Sequence, residues 1–600
     1  MIRILLSGIL LNFCILVSAQ DSLKNHLINS GEIINQGIEL HDREQYDSAI
    51  AQYDLVDRND TNYTLAQYEK SLSLHGKKNY AQSIQILHEI LKDSSNRKLE
   101  YLMNLGTVLD DSGAYNESGG MYLKALKIYP YHNVLQFNYA LNLRNQKNDN
   151  EAIRRFQMSV KYNPYHASSY LQMANVYYSQ GRKIPAMLAY GMFIIFEPAS
   201  QRAYYANKQL KKIVDGSIDQ DKDVKPVRYD EDRLFLPIQE ILESKAANDK
   251  RYKTGVDIND ILVRQMQVVL SNLSYNKADT GFLSRYIISY MKGMFDAGYY
   301  EPYCYYMFTS YNNEMINKWL KKNQKAVDVF KKWSAEYINK SHEFKDMNIH
   351  GTIVNARCYY YDNGRIHSFG KIKTENGVDI KQGLWTYIST TGSVETETYY
   401  NQKGEEEGEC TVWYPDGQLM KKYTNKNGKE EGAFIQYFDN GEPKYKAMYK
   451  NGKLVDTLFK YYNHGGLRSS EAISNDSLQG ISRYYKRNGE LSAVLKNIDN
   501  KTDSLAVYYF PNGKIQSTVW FKNNLKNGQA VYYHDNGAIE AKGEFKDNLY
   551  VGKWLNYWDN GTVKSEYSYT PDGKLNGVAK EFSEKGILTE ENNYINGKLN

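Results

Sequence analysis

The residues that most often carry catalysis are scattered along this 600-residue chain. The 11 histidines include no His-Glu-x-x-His pair, no serine lies in a Gly-x-Ser-x-Gly turn, and no glycine loop leads into a phosphate-binding Lys-Ser or Lys-Thr. Asp110 and Asp111 are adjacent carboxylates on a predicted helix, where sequence neighbours point in different directions. The sequence therefore predicts no enzyme, no catalytic residue and no cofactor, and only the segment 234–340 leaves room for a hidden active site.

One acidic stretch has part of the spacing of a calcium-binding loop. Asp57, Asn59 and Thr61 alternate along it. Asn62, however, stands where the loop needs glycine, and Tyr68 stands where it needs a final glutamate. We interpret the stretch as a turn between helical repeats, and we predict no metal site.

The first nineteen residues have the composition of a secretory signal. Arg3 gives a positive start, the run Ile4–Val17 is mostly apolar, and Val17-Ser18-Ala19 supplies small residues for cleavage before Gln20. An uncleaved membrane anchor is the alternative. We expect the protein to be exported and to be periplasmic, outer-membrane-associated or extracellular.

Three cysteines remain beyond this segment, namely Cys304, Cys358 and Cys410. They are too few and too scattered for a disulfide framework, and no Cys-x-x-Cys pair is present for zinc or redox chemistry. We therefore predict that all three are structural thiols.

The charge balance and the tyrosine content limit the classes of partner. The 75 Lys and Arg residues against 70 Asp and Glu leave a net charge of +5. This charge is too small to indicate a nucleic-acid partner, and it also argues against binding to a membrane surface. The chain has 55 Tyr but only 19 Phe and 7 Trp. Because tyrosine has an apolar body and a polar tip, this excess favours half-wet sheets and binding faces.

The N-terminal third repeats with a period of 34 residues. Pro130, Pro164 and Pro198 lie at that spacing, and so do the small residues Gly106, Ala140 and Ala174, while Tyr122, Phe156 and Tyr190 share one large aromatic position. Small residues let two helices approach closely, and proline ends the second helix. The pattern resembles the tetratricopeptide repeat, which implies about five helix pairs over residues 20–214 and a concave groove that binds an extended peptide.

The resemblance also implies which side chains line that groove, although any one of them has packing between repeats as its alternative. The candidate binding residues are Asn104, Asp111, Asn138, Arg144, Asn175 and Tyr178. Thr107, Phe137 and Leu171 occupy equivalent positions, and we expect Phe137 and Leu171 to belong to the core. The basic clamp for a C-terminal carboxylate is not visible.

The middle of the chain carries no family signal. Residues 215–233 are charged and contain Pro226, which is typical of a linker. Residues 234–345 have helical apolar spacing. The aromatic run Tyr299–Tyr306 predicts a buried corner between helices, with a ligand-facing patch as the alternative.

The C-terminal part, residues 346–600, repeats at steps of 24 or 25 residues. The marker glycines are Gly392, Gly417, Gly441, Gly465, Gly489, Gly513, Gly537, Gly561 and Gly586. Nine residues earlier a second glycine recurs, with Asp456 and Ser504 as exceptions. Asn-Gly pairs at five of the marker positions, for example Asn440-Gly441, predict two-residue type I′ hairpin turns.

The spacing resembles the MORN-repeat variant family, some bacterial members of which are labelled antitoxin-like. It implies about ten hairpins in one antiparallel sheet. Tyr484, Tyr508 and Tyr532 share one face of that sheet and are candidate sugar-stacking residues.

The predicted fold class is multidomain α + β, with an N-terminal α-solenoid, a helical middle segment and a C-terminal sheet of β-hairpin repeats. Two repeat surfaces without catalytic groups favour a protein-binding scaffold in the bacterial envelope. The alternative is a glycan- or peptidoglycan-binding module that uses the exposed tyrosines.

Overall fold

The computed structural model describes residues 29–92, 98–216, 230–244, 252–274 and 281–600, together with residues 247, 249 and 279. The predicted signal peptide and residues 217–229 of the predicted linker lie outside them. Two compact units are present. The first contains the described residues up to Lys345 together with residues 358–367 and 388–393, and the second contains residues 346–357, 368–387 and 394–600.

Seventeen α-helices occur among the described residues, all of them in the first unit. The first ten are α1 Ser30–Asp42, α2 Tyr46–Tyr53, α3 Tyr63–Gly76, α4 Tyr80–Ile90, α5 Lys98–Asp111, α6 Tyr115–Ile128, α7 Asn133–Asn145, α8 Asp149–Tyr162, α9 Ala167–Ser179 and α10 Lys183–Phe196. The others are α11 Gln201–Asp215, α12 Leu236–Glu243, α13 Ile261–Asn272, α14 Ser289–Asp296, α15 Tyr300–Met307, α16 Glu314–Lys322 and α17 Gln324–Ser341.

Helices α1 to α10 form five successive pairs, which confirms the predicted solenoid. The small residue of each first helix is required by the aromatic residue of its partner helix. A Cβ atom on Gly106 would lie 2.5 Å from Cε1 of Tyr122, and one on Gly37 would lie 2.3 Å from Cε1 of Tyr53. The ring fills the space that a side chain would need, so glycine permits the close approach of the two helices.

The middle helices pack around the last helix pair. Twelve of the fourteen residues of α10 are buried, because α11, α12, α15 and a π-helical turn at Leu283–Ile288 contact it. One apolar cluster consequently extends from Leu99 to Ile338. The aromatic run forms helix α15 itself, with Pro302 tolerated in its first turn, and Tyr300, Tyr303 and Tyr305 are buried as expected.

Two hairpin turns belong to the first unit and contact the loops that join its helix pairs. The backbone N–H of Tyr131 donates to the carbonyl of Gly392 at 3.1 Å. The side-chain amide of Asn163 donates to the carbonyl of Asn363 at 3.5 Å. Each of these loops contains the sequence Pro-Tyr-His, at residues 130–132 and 164–166, so the repeated sequence that ends a helix also forms a loop that contacts a hairpin turn.

The C-terminal sheet contains 23 strands that pair in sequence order and antiparallel, with β13 pairing with both β14 and β15. The strands are β1 Phe344–Ile349, β2 Thr352–Tyr360, β3 Ile366–Glu375, β4 Val378–Ile388, β5 Val394–Tyr400, β6 Glu406–Trp413, β7 Leu419–Lys426, β8 Lys429–Tyr437, β9 Pro443–Lys450, β10 Lys453–Tyr461, β11 Leu467–Ser474 and β12 Ser477–Tyr485. They continue with β13 Leu491–Ile498, β14 Lys501–Thr502, β15 Ser504–Tyr509, β16 Ile515–Lys522, β17 Leu525–Tyr533, β18 Ile539–Lys546, β19 Leu549–Tyr557, β20 Val563–Tyr569, β21 Gly577–Phe582, β22 Leu588–Ile595 and β23 Lys598–Leu599.

The predicted type I′ turns at the marker Asn-Gly pairs are wrong. In these pairs glycine has a positive φ, for example 79° at Gly513, but the asparagine does not. The amide of Asn536 shows what asparagine does instead. Its Oδ1 accepts from the backbone N–H of Ala538 at 2.8 Å, and its Nδ2 donates to the carbonyl of Asp559, in the next repeat, at 3.0 Å. Asparagine in these turns therefore contributes side-chain hydrogen bonds, one within the turn and one to the next turn.

Turns with two consecutive positive φ values lie at the opposite end of most hairpins, although the turns that contain Gly404 and Gly573 have only one positive φ. Asn523 and Asn524 have φ of 53° and 69°, and they join Lys522 to Leu525, which are paired residues of β16 and β17. The earlier glycine of each repeat belongs to the strand and not to a turn. Gly528, with φ of 111°, lies where the register of β16 and β17 shifts, so that glycine forms a β-bulge.

Candidate functional site

The first helices of the pairs form the inner surface of the solenoid. Helices α1, α3, α5 and α7 contact one another in succession, as expected for the layer that lines the concave side. The predicted groove residues all lie on such helices. Their side chains are half-buried or exposed, with one exception described below.

A hydrogen-bonded cluster on α7, α9 and α10 brings two of the predicted residues, Arg144 and Asn175, together. Gln172 Oε1 accepts from Arg144 Nη1 at 2.6 Å and from Asn175 Nδ2 at 3.4 Å. The hydroxyl of Tyr190 donates to Asn175 Oδ1 at 2.7 Å. Burial raises the pKa of Tyr190, so this hydroxyl remains a donor at neutral pH.

Arg144 has unused hydrogen-bonding capacity in this cluster. Its Nε is buried and has no hydrogen-bond partner within the part of the chain that the structure describes. A buried guanidinium N–H without a partner costs free energy, which a movement of the side chain toward an acceptor on a bound ligand would recover. Gln172 and Tyr190 were not among the predicted site residues, although Tyr190 occupies the repeated aromatic position.

The remaining groove residues have different surroundings. Asp111 is exposed, and its Oδ2 lies 2.7 Å from Nε2 of His75. Asn138 is half-buried on α7. Tyr178 is half-buried against the core cluster. Asn138 on α7 and Tyr178 on α9 therefore each keep part of a polar side chain accessible.

Asn104 has to be removed from the set of groove residues. Its side chain is 9% exposed, and its Nδ2 donates to Ser71 Oγ at 3.2 Å. Asn104 packs between repeats, and the serine on the first helix of the preceding pair replaces water as the hydrogen-bond partner of its amide. Phe137 and Leu171 pack against the core as expected, and Phe137 lies 5.5 Å from the Phe156 ring.

The three predicted sheet tyrosines form a row in which small residues separate the rings. Tyr508 pairs with Ala493 on one side and with Ser517 on the other. Tyr532 pairs with Ser517 and with Ala541. Tyr484 pairs likewise with Ser469 and Ala493. Each ring is half-buried, and burial raises the pKa values of Tyr484 and Tyr508.

A cleft of about 370 Å³ lies between Tyr508 and Tyr532, and we call it the Ser517 cleft. Phe510, Gln516, Ser517, Val519, Phe521, Lys526 and Glu540 complete its lining. Its apolar floor belongs to the small core of this sheet, which is formed by Val519, Ala530, Phe545 and Trp554. The Nζ atom of Lys526 lies 3.4 Å from the hydroxyl of Tyr532, so the cleft combines aromatic walls with polar groups at its rim.

A second cleft of about 600 Å³ lies further along the sheet, and we call it the Ser565 cleft. It is lined by His534, Glu540, Asn556, Tyr557, Trp558, Asp559, Lys564, Ser565, Tyr567 and Glu584. Glu540 of β18 lines both clefts. The sequence indicated the tyrosine row but did not indicate these clefts, because their walls come from strands that meet only in the folded sheet.

Groups that would support catalysis or metal binding do not converge in the described residues. No set of three His, Cys, Asp or Glu side chains has the geometry to hold a metal ion there. Cys304, Cys358 and Cys410 are buried and not disulfide-bonded. At the calcium-like stretch, Asp57 Oδ1 accepts from the Asn59 backbone N–H at 2.8 Å, which is a turn contact.

None of the helices within the described ranges has the length and apolar character that a membrane crossing requires.

Comparison with known proteins gives a family for the sheet and structural similarity for the helices. The MORN repeat variant matches residues 406–427, 430–451, 526–547, 550–570 and 575–596. The unmatched stretch between them includes the repeats in which Asp456 and Ser504 replace the bulge glycine. No curated protein matches the chain.

Solved structures similar to the chain include YrrB, described as a TPR protein with an unusual peptide-binding site, at 19% identity and a TM-score of 0.25, covering 32% of this chain and 97% of YrrB. PilF of Pseudomonas aeruginosa has 20% identity and a TM-score of 0.28, with 32% and 85% covered. MamA of Desulfovibrio magneticus RS-1 has 14% identity and a TM-score of 0.24, with 32% and 97% covered. The helix pairs are tetratricopeptide-like, and this assignment rests on how they pack and not on the solved structures. The chain thus carries MORN repeat variants in the C-terminal sheet that follows these pairs.

Proposed function

We propose that this protein is a non-enzymatic scaffold that binds an extended segment of a partner protein in the groove of its helix pairs. The observation that carries the proposal is the cluster of Arg144, Gln172, Asn175 and Tyr190, in which the buried Nε of Arg144 has no partner among the described residues. An extended peptide offers backbone carbonyl groups at regular intervals, and arginine N–H groups donate well to them.

The neighbouring residues suit the same ligand. Asn138 and Tyr178 are half-buried on α7 and α9, and they supply an amide and an amphipathic ring. Tyr190 and Gln172 hold Asn175 and Arg144 in place, so the groove is organised before a ligand arrives. Preorganised side chains lose less conformational entropy on binding, which favours affinity.

Selection from a random peptide library displayed on phage tests this function with the full chain. We expect enrichment of peptides whose binding weakens about ten-fold in the Arg144→Ala variant, because a hydrogen bond to a charged group is lost. Lys124→Ala is the matched control, because Lys124 is an exposed residue on the second helix α6. Peptides that bind the Arg144→Ala variant as well as the original chain would contradict the assigned groove.

Glycan binding by the sheet is a second candidate function. It is favoured by the Ser517 cleft, in which Tyr508 and Tyr532 stand on either side of a small floor residue and polar groups line the rim. Tyrosine presents an apolar ring face and a hydroxyl, which suits sugars with one apolar face and several hydroxyl groups. Pelleting with peptidoglycan sacculi, compared between the original chain and Tyr484, Tyr508 and Tyr532 each changed to Ala, tests it; unchanged retention would exclude this site.

We also propose that the scaffold acts in the bacterial envelope. The support is the sequence of residues 1–19, with its positive start, apolar run and Val17-Ser18-Ala19 cleavage site. Amino-terminal sequencing of the protein from envelope fractions is expected to begin at Gln20. Recovery from the cytoplasm with Met1 retained would contradict the proposal.

A further inference from the structure

The two clefts of the sheet are the same site repeated. Two 24-residue repeats separate four lining positions of the Ser517 cleft from those of the Ser565 cleft: Tyr508 from Asn556, Phe510 from Trp558, Gln516 from Lys564, and Val519 from Tyr567. Ser517 and Ser565, the small residues after which we named them, are related in the same way. Two independent cavities would not share five equivalent positions, so the repeat itself builds the site.

The clefts lie along the direction in which the hairpins stack. Ser517 is on β16 and Ser565 is on β20, with β17, β18 and β19 between them. Four strand spacings place equivalent points about 19 Å apart. Glu540, on the middle strand β18, lines both clefts and makes them neighbours on one continuous face. A ligand that fills both must therefore be elongated and must lie across the strands.

The charges of the two clefts exclude one class of elongated ligand. The Ser517 cleft has one ammonium group, Lys526, and one carboxylate, Glu540. The Ser565 cleft has three carboxylates, Glu540, Asp559 and Glu584, with Lys564 and His534. Across both clefts the three carboxylates outnumber the two ammonium groups, so the lining disfavours an acidic polymer, whereas uncharged hydroxyl and amide groups find both donors and acceptors.

From these observations we infer that the sheet binds an uncharged linear polysaccharide that lies across the strands and occupies the Ser517 and Ser565 clefts together. Aromatic rings in each cleft cover the apolar faces of the sugars, and Gln516, Lys526 and Asn556 bond to their hydroxyl groups. This inference rests on the second candidate function and names its substrate class and its mode of binding.

Calorimetric titration of the full chain with uncharged oligosaccharides of increasing length tests the inference, with glucose, mannose and N-acetylglucosamine oligomers as probes. We expect the affinity to rise on the order of 100-fold once an oligomer spans both clefts, because the second contact becomes intramolecular. Affinity that does not depend on length would overturn the two-cleft inference and leave glycan binding intact. Absence of binding at every length would overturn both.

Two further probes define the ligand class. Oligogalacturonides of the same lengths carry a carboxylate on each sugar, and equal or tighter binding of these would overturn the charge argument. Proline-rich peptides are the competing elongated ligand, because aromatic-lined grooves also bind polyproline helices. Binding of such peptides without binding of sugars would overturn the inference.

Variants in the two clefts should act as a pair. Tyr508→Ala in the Ser517 cleft and Trp558→Ala in the Ser565 cleft are each expected to lower the affinity for long oligomers to the affinity for short ones. Trp558 Nε1 also donates to the Phe582 carbonyl at 3.1 Å, so Tyr567→Ala replaces this variant if Trp558→Ala does not fold. Trp520, which is 45% exposed on the opposite face of β16, supplies the control Trp520→Ala. An effect of the control equal to that of the cleft variants would overturn the assigned face.

Discussion

The helical unit and the sheet use tyrosine in opposite ways. In the helix pairs, Tyr53, Tyr122 and Tyr190 are almost fully buried and fill the space above small residues. In the sheet, Tyr484, Tyr508 and Tyr532 are half-buried, and the small residues beside them leave clefts. The same pairing of a large ring with a small neighbour thus makes a core between helices and a surface of cavities on a single sheet.

The difference follows from how many layers cover each repeat. The helix pairs share an apolar cluster that continues into the middle helices. Among the described strands, a compact apolar cluster occurs around Val519 and Trp554, and most other side chains remain partly exposed. A single sheet cannot bury both faces, so hydrogen bonds between turns, such as the one from Asn536 to Asp559, take a larger share in joining its repeats.

Removing one aromatic ring from each unit tests whether the helical unit depends more strongly on its rings than the sheet does. Phe156→Ala is expected to lower the free energy of unfolding of the helical unit by about 4 kcal/mol, because Phe156 is fully buried. The matched change Tyr532→Ala should cost about 1 kcal/mol in the sheet, since that ring is half-exposed. Urea unfolding followed by hydrogen exchange in each unit measures both, and equal losses would contradict the comparison.

A buried lysine makes the stability of the helical unit depend on pH. Lys345 is fully buried, and its ammonium group contacts the Lys161 carbonyl and lies 5.0 Å from the Tyr360 ring. Burial lowers the pKa of Lys345 to about 7. The unfolded chain therefore binds more protons above pH 7, and the stability of the helical unit should rise by about 3 kcal/mol up to about pH 9.5.

The variant Lys345→Met separates this effect from other titrations. It should abolish the rise of stability between pH 7 and pH 9.5 while leaving the solenoid folded, because the apolar stem is retained. Thermal unfolding across this range is the measurement. A rise that persists in the variant would assign the effect to other groups.

The turn asparagines should matter less than either buried group. Asn536→Ala removes a hydrogen bond within its turn and another to the next repeat, and we expect a loss of about 1 kcal/mol. Asn536→Asp keeps the acceptor for the Ala538 N–H but loses the donor to Asp559, so its loss should be smaller. Exchange protection of Ala538 is the readout, and a full loss in Asn536→Ala with no loss in Asn536→Asp would show that the link between repeats contributes nothing.

Surface ion pairs of the sheet should have the smallest effect. The Nζ of Lys553 lies 3.1 Å from Glu566 Oε2 across neighbouring strands, and the lysine is 58% exposed. Lys553→Ala should change stability by less than about 0.5 kcal/mol, because solvent screens such pairs. A larger loss in urea unfolding of the sheet would indicate that charges, and not turns, hold the repeats together.

The sequence predicts both architectures because periodic residues determine them. Pro130 and Pro164 end helices, Gly106 accommodates Tyr122, and the recurring glycines set the hairpin length. The sequence does not predict the turn type, since Asn-Gly suits a type I′ turn and also a turn in which only glycine has positive φ. The pairing register decides between them, and local sequence does not contain it.

The sites were harder to predict than the fold. Asn104 and Asn175 have equivalent chemistry in the sequence, yet Asn104 faces Ser71 of the preceding repeat and Asn175 bonds to Tyr190 of its own pair. Gln172 has no repeat signature, although it connects Arg144 to Asn175. Contacts between repeats depend on how helices rotate against each other, and a 34-residue pattern does not specify that rotation.

Photocrosslinking in living cells tests the scaffold function most directly. A benzophenone amino acid placed at Asn138, on the same helix as Arg144, should form a specific adduct with one partner protein, and the same group at exposed Lys124 of α6 should not. The adduct should disappear when Arg144→Ala is combined with the crosslinker. Equal adducts from both positions, or an adduct from Asn138 that is insensitive to Arg144→Ala, would contradict binding in this groove.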